Sequence, residues 1–147
     1  MTVALSGKDI ADKLAGQFPG NVSVSDAGYL VVKSESLVPV ATYLKDTPDY
    51  AFNYLTYVTA VDFYDHFEVV YQLTSLEKNQ NIVLRTTCPR ENAEVPSVSG
   101  LWKTADIQER EIYDLMGIKF EGHPNMKRIV LWEGFQGHPL RKDFNGA

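Results

Sequence analysis

Apolar residues recur at helical spacing in three stretches of the chain and run as dense β-type segments between them. Ile10, Leu14 and Phe18 follow a Ser6-Gly7-Lys8-Asp9 start and stop at Pro19-Gly20, which predicts a first helix. Val22 and Val24, then Tyr29 and Val31, read as two short strands around an Asp26-Ala27-Gly28 turn. Ser36 is placed to cap a second helix carrying Leu37, Val40, Ala41 and Leu44, stopped near Asp46-Thr47-Pro48. Residues 55–63, 67–76 and 81–87 are rich in Val, Tyr, Thr and Phe and predict three strands. Tyr64-Asp65-His66 and residues 78–81 supply the turns of an antiparallel ribbon that Cys88-Pro89 closes, and residues 91–96 read as a polar loop.

A third helix is predicted within residues 102–116. On a helical wheel Ala105, Ile112, Leu115 and Met116 share one arc, and Asp106, Arg110 and Asp114 form the opposite, solvated row. Gly117 supplies a left-handed cap behind which Ile118 folds back. Beyond it the chain reads as irregular, with one apolar run at residues 129–132 between turns. There is no internal repeat and no linker, so the pattern describes one α+β domain, residues 1–121, followed by an extended tail, residues 122–147.

Composition narrows the chemistry. The 147 residues are 44% hydrophobic and 22% charged, which excludes a disordered chain. The single cysteine, Cys88, makes no internal disulfide and cannot hold an iron–sulfur cluster, which takes about four cysteinyl ligands. With no catalytic partner visible it reads as a buried structural thiol. Net charge is −5, which gives no nucleic-acid footprint. From Lys119 onward, however, five basic residues face three acidic ones, an uneven distribution that suggests a surface oriented toward a partner. The chain lacks a run of ~20 apolar residues for a membrane span. Met1 to Ile10 shows no signal sequence, so the expectation is a soluble, cytosolic protein.

No phosphate-binding glycine loop, catalytic dyad or metal-ligand spacing is present. His123 and His138, each in a Gly-His-Pro triplet, read as loop histidines bonded to backbone, and so does His66. Glu109 projects at the edge of the apolar arc of the third helix. One reading is a buried ion pair that docks the tail, with Arg128 or Arg141 as partner; the other is an edge carboxylate reaching water. On the first reading Glu109→Ala destabilises the domain more than Asp114→Ala. With few apolar contacts, the segment from His123 to Phe144 is expected to depend on a partner for its order. Lys127, Arg128, Arg141 and Lys142 are then expected in the docked interface.

One stretch resembles a known family. Residues 109–124, Glu-Arg-Glu-Ile-Tyr-Asp-Leu-Met-Gly-Ile-Lys-Phe-Glu-Gly-His-Pro, are followed by Lys127-Arg128-Ile129. They are similar to the signature of the C subunit of proton-pumping NADH:quinone oxidoreductase, respiratory complex I, a small hydrophilic component of its peripheral arm. Residues 137–144, Gly-His-Pro-Leu-Arg-Lys-Asp-Phe, resemble the closing motif of that family. The match departs at Ile107, where the family often has Trp, and the chain ends three residues after Phe144, which suggests no fusion to the quinone-site subunit.

The resemblance implies a two-layer α+β fold with a mixed, largely antiparallel sheet. It also implies a non-catalytic scaffold subunit of the peripheral arm, docked on the large quinone-site subunit and neighbouring peripheral subunits. NADH, FMN, iron–sulfur clusters and quinone would belong to other chains, with no cofactor or metal site on this one. The location would be peripheral, on the cytoplasmic side of the membrane, and reached only through the complex. The residues it marks for partner docking are Glu109, Arg110, Glu111, Asp114, Gly117, His123, Pro124, Lys127, Arg128, His138, Pro139, Arg141, Lys142 and Asp143. The alternatives are the equivalent scaffold of a group 4 hydrogenase or F420H2/ferredoxin dehydrogenase, and an unrelated protein-binding module.

Overall fold

The structure, a computed structural model, describes residues 2–145. Strand β1 (Val3–Ala4) leads into helix α1 (Gly7–Leu14), where the Ser6 hydroxyl accepts the N–H of Lys8 at 3.2 Å as the N-cap. This helix ends one turn earlier than its apolar spacing predicts. Phe18 packs half-buried behind it, its N–H bonded to Leu14 O at 2.8 Å. Strands β2 (Val22–Val24) and β3 (Leu30–Val32) form the expected hairpin, and α2 (Leu37–Asp46) buries Leu37, Val40, Ala41 and Leu44. Ser36 precedes α2 without capping it, because its hydroxyl accepts the Asn21 side-chain amide at 2.8 Å instead.

Three long strands follow, β4 (Tyr54–Asp62), β5 (His66–Ser75) and β6 (Gln80–Pro89), paired antiparallel in sequence order. Among the described residues the main sheet runs β2-β3-β6-β5-β4, and β1 also pairs with β6. The β3–β6 and β1–β6 pairings are parallel, so the sheet is mixed and largely antiparallel. Alternation along the strands sends Phe67, Val69, Tyr71 and Leu73 of β5, with Ile82 and Leu84 of β6, into one core against the helices. Each such apolar side chain contributes ~1.5–3 kcal/mol on burial. The other face carries half-buried Glu68, Gln72 and Arg85, which makes a two-layer domain.

The predicted polar loop at residues 91–96 is corrected. Its second half is a strand, β7 (Glu94–Pro96), paired in parallel with β8 (Lys119–Glu121), and the pair buries Val95 and Phe120. Three residues carry too little periodicity to be read as a strand, and the partner that satisfies them lies across helix α3 (Ala105–Met116). Helix α3 packs on β4 at the edge of the sheet. Gln108 Oε1 accepts the Val58 N–H at 2.5 Å, and Trp102 Nε1 donates to Phe52 O at 3.2 Å. A side chain thus occupies an edge donor of β4.

Candidate functional site: the junction of helix and tail

Asp114 decides the geometry of this junction. It belongs to the row expected to face solvent, yet its side chain is fully buried. The tail lies over the C-terminal end of that row and covers Asp114. Asp114 Oδ1 receives Arg128 Nη1 at 2.6 Å, and Oδ2 accepts the successive N–H groups of Ile129, Val130 and Leu131 at 3.0, 2.7 and 2.8 Å. Burial raises the carboxyl pKa, but these backbone donors and the guanidinium outweigh it and hold the group below its usual range. Arg128 also donates to Asp114 O at 3.1 Å and to Gly137 O at 2.8 Å, so it ties helix, ridge and turn together.

The rest of the signature fills in around this pair. Arg110, expected to point outward, donates to the carbonyls of Lys127 and Arg128 at 3.1 and 3.2 Å. His123 Nδ1 accepts the Asn125 N–H at 2.9 Å, which places the proton on Nε2, 3.0 Å from Asp106 O. His138 Nδ1 donates to Asp114 O at 2.9 Å. Both histidines bond backbone, as the triplets suggested, and His123 Nε2 also lies 3.1 Å from Asp106 Oδ1. His66 instead pairs with the Asp65 side chain at 2.7 Å.

Gly117 caps α3 at φ +78°, and a Cβ there would stand 2.8 Å from the His138 ring. Glycine is therefore required twice at one position, by the left-handed backbone and by the ring packed on it.

Glu109 corrects a second expectation. It is fully buried, but neither Arg128 nor Arg141 is its partner. Its oxygens accept Ser97 Oγ at 2.6 Å and the Val98 N–H at 2.9 Å, which fastens α3 to the segment after β7. Burial raises its pKa, opposed by those two donors. Cys88 is a buried thiol, pushed up to about 11 by burial. Glu111, Pro124 and Lys127 are exposed, and Pro139 is half-buried.

The tail, expected from its lack of apolar periodicity to depend on a partner for its order, is also bonded to the rest of this chain. Hydrogen bonds from the chain's own carboxylates and carbonyls hold it. Its closing motif is fixed by residues that the sequence did not single out. Asp62 at the end of β4 takes both Arg90 Nη groups, with Nη2 at 2.8 Å from Oδ2, and accepts the Lys142 N–H at 2.8 Å. Arg141 forms a two-pronged pair with Asp143 at 2.9 and 3.0 Å and lies over the Phe67 ring at 5.1 Å. No periodicity could have flagged Asp62, which meets Lys142 across 80 positions. Residues 146 and 147 of the expected tail lie outside the described residues.

While the backbone is pinned, apolar side chains face outward. Trp132 is 68% exposed, Leu140 60% and Val130 56%. No helix among the described residues is long and apolar enough to cross a membrane.

The mixed-sheet α+β domain with its helix-and-tail junction is the fold shared by a family of respiratory-chain subunits. The chain belongs to the family described as the respiratory-chain NADH dehydrogenase 30 kDa subunit, whose profile matches residues 30–147. It is 45% identical over 121 residues to the NADH-quinone oxidoreductase C subunit of Moorella thermoacetica, covering 81% of this chain and 80% of that one. Against the C subunit of a Roseiflexus species it is 41% identical over 132 residues, 88% of this chain and 72% of the other.

Among solved structures, a trypsin-resistant fragment (1–134) of Nqo5 superposes with a TM-score of 0.65 at 30% identity, covering 80% of this chain and 96% of the fragment. An archaeal membrane-bound sulfane sulfur reductase contains a chain of the same fold, with a TM-score of 0.78 at 23% identity over 95% of this chain and 86% of that one.

Proposed function

We propose that this chain is a non-catalytic structural subunit of the peripheral arm of a proton-translocating NADH:quinone oxidoreductase. It docks on the large quinone-site subunit and neighbouring peripheral subunits through the segment after residue 121, while residues 1–121 form the supporting domain. Electrons pass from NADH to quinone on other chains, which hold FMN, the iron–sulfur clusters and the quinone. The chain lies on the cytoplasmic side of the membrane and is held there by the complex. Relatives that share 41–45% identity and carry the name of the NADH-quinone oxidoreductase C subunit favour this reading over the same scaffold role in a hydrogenase-type or F420H2/ferredoxin complex.

The observation that carries the proposal is the exposed ridge of Val130, Trp132 and Leu140 on a backbone fixed from beneath. A segment whose successive backbone N–H groups are bonded from beneath, and whose large apolar side chains point outward, has the form of a preorganised contact surface. Desolvating Trp132 against a partner supplies binding energy with a reduced backbone ordering cost.

The test replaces Trp132 and Val130 together by Asp and recovers the complex from native membranes through a tag on another subunit. The expected result is loss of this chain from the purified complex, with the isolated variant keeping the parent's thermal midpoint. Full recovery of an active complex containing the double variant would remove the ridge from the interface.

A further inference from the structure

We propose that Asp62, held by Arg90, is a positioning residue for complex assembly: it fixes the closing segment of the tail in its docking conformation from the far end of β4. The functional half of this inference rests on the docking reading above.

The geometry separates two anchors. Asp114 holds residues 128–131 and, through its carbonyl, His138. The segment from Leu140 onward has further ties, one on α3 and one at the end of β4. Leu140 N–H bonds Leu115 O at 2.9 Å, and Lys142 N–H bonds Asp62 Oδ2 at 2.8 Å. Asp62 is buried and also accepts the Tyr64 N–H at 2.8 Å, which holds that residue at φ +72° in the hairpin between β4 and β5. Arg90 supplies the counter-charge and reaches Asp143 Oδ2 at 3.5 Å. Its guanidinium lies 4.9 Å from the Phe67 ring, which Arg141 also approaches at 5.1 Å. The Lys142 ammonium sits 4.3 Å over the Tyr64 ring. One buried carboxylate therefore sets the hairpin tip and the closing motif together.

The chain bends at this anchor in two consecutive turns. Arg141 N–H bonds His138 O and Phe144 N–H bonds Arg141 O, each at 3.1 Å. Pro139 is the second residue of the first turn and Lys142 the second residue of the next. Proline suits that position, because it presets φ and its missing N–H is not needed for the turn bond. Lys142→Pro therefore deletes the tail's backbone donor to Asp62 while leaving the turn and the Asp62–Arg90 pair in place. Lys142→Ala keeps the donor and removes only the side chain.

The experiment measures amide hydrogen exchange on the full chain and its recovery in the native complex, for Asp62→Asn, Lys142→Pro and Lys142→Ala. Asp62→Asn and Lys142→Pro should speed exchange at Leu140 and Phe144 at least tenfold, with residues 129–131 unchanged. Both should also lower recovery of the complex well below the Lys142→Ala level. Unchanged exchange at Leu140 and Phe144 in Lys142→Pro would overturn the anchor even if Asp62→Asn fails to fold. Faster local exchange with recovery equal to Lys142→Ala would overturn its role in assembly, provided the Trp132 and Val130 double variant is lost from the complex. If that double variant assembles as well, the docking reading itself has failed.

Discussion

The Asp114 carboxylate and the Arg128 guanidinium meet at 2.6 Å, while the other carboxylate oxygen of Asp114 gathers the three N–H groups that follow Arg128 in the chain. One side chain of α3 thereby fixes a side chain and a backbone at once. Successive amides pointing at one oxygen form an anion-binding concavity, and the arginine neutralises what they enclose.

Removing one partner of such a buried pair costs ~3–5 kcal/mol. Asp114→Ala is expected to lose that amount from tail docking. Hydrogen exchange at residues 129–131 should then accelerate at least a hundredfold in the isolated chain. Protection retained at those three amides would show that other contacts hold the ridge.

Glu109 and Asp114 are both fully buried, so the contrast drawn from the helical wheel does not survive. Asp114 serves more donors, and Asp114→Ala is expected to cost at least as much local stability as Glu109→Ala. Glu109→Gln should lie between Glu109→Ala and the parent in chemical denaturation, since the amide oxygen can accept from the Val98 N–H and its NH2 donate to the Ser97 hydroxyl, but without the carboxylate's charge-assisted bonds. A Gln variant less stable than the Ala variant would contradict this.

The two carboxylates respond to pH with opposite signs. Asp114 is held below its unfolded value, about 3.9 for a free aspartate. Its contribution is fully present above that pH and lost as pH falls through the folded value. Glu109 is raised by burial above the free glutamate value of about 4.3, so between those two values the native state binds more protons than the unfolded chain. Its contribution therefore declines as pH rises through that window. Denaturation curves should show the stability of the parent relative to Glu109→Gln falling with rising pH. Amides 129–131 should stay protected until the pH drops below about 3.9. Loss of that protection near neutral pH would exclude Asp114 as the anchor.

Gly117→Ala should destabilise by more than the ~1–2 kcal/mol of a left-handed alanine, because its methyl would also displace the His138 ring from 2.8 Å. Thermal denaturation checks the loss. Faster exchange at Arg141, whose N–H bonds His138 O, checks that the ring moved.

The purified chain should be colourless and redox-silent, since Cys88 is its one thiol and lies buried. Stoichiometric visible absorbance retained through desalting would show a cofactor on this chain.

Much of the fold was legible because it follows local rules. The ribbon of β4, β5 and β6 came from segments dense in Val, Tyr, Thr and Phe, α2 from its four apolar positions, and the end of α3 from Gly117. The family was legible in residues 109–124 because a run of specific side chains carries more information than periodicity does. Three features were decided by tertiary structure alone. Asp114 has the sequence signature of a solvated row, and only the tail folded across it removes the solvent. Glu109 took a serine and a backbone amide in place of an arginine, because the strand pairing of β7 with β8 brings Ser97 and Val98 under α3. Asp62 and Lys142 meet across 80 positions through a backbone donor, which has no side-chain signature at all. Local patterns determine which face of an element is apolar. What covers its polar face depends on where distant chain returns, and here that is set by hydrogen bonds between residues far apart in the sequence.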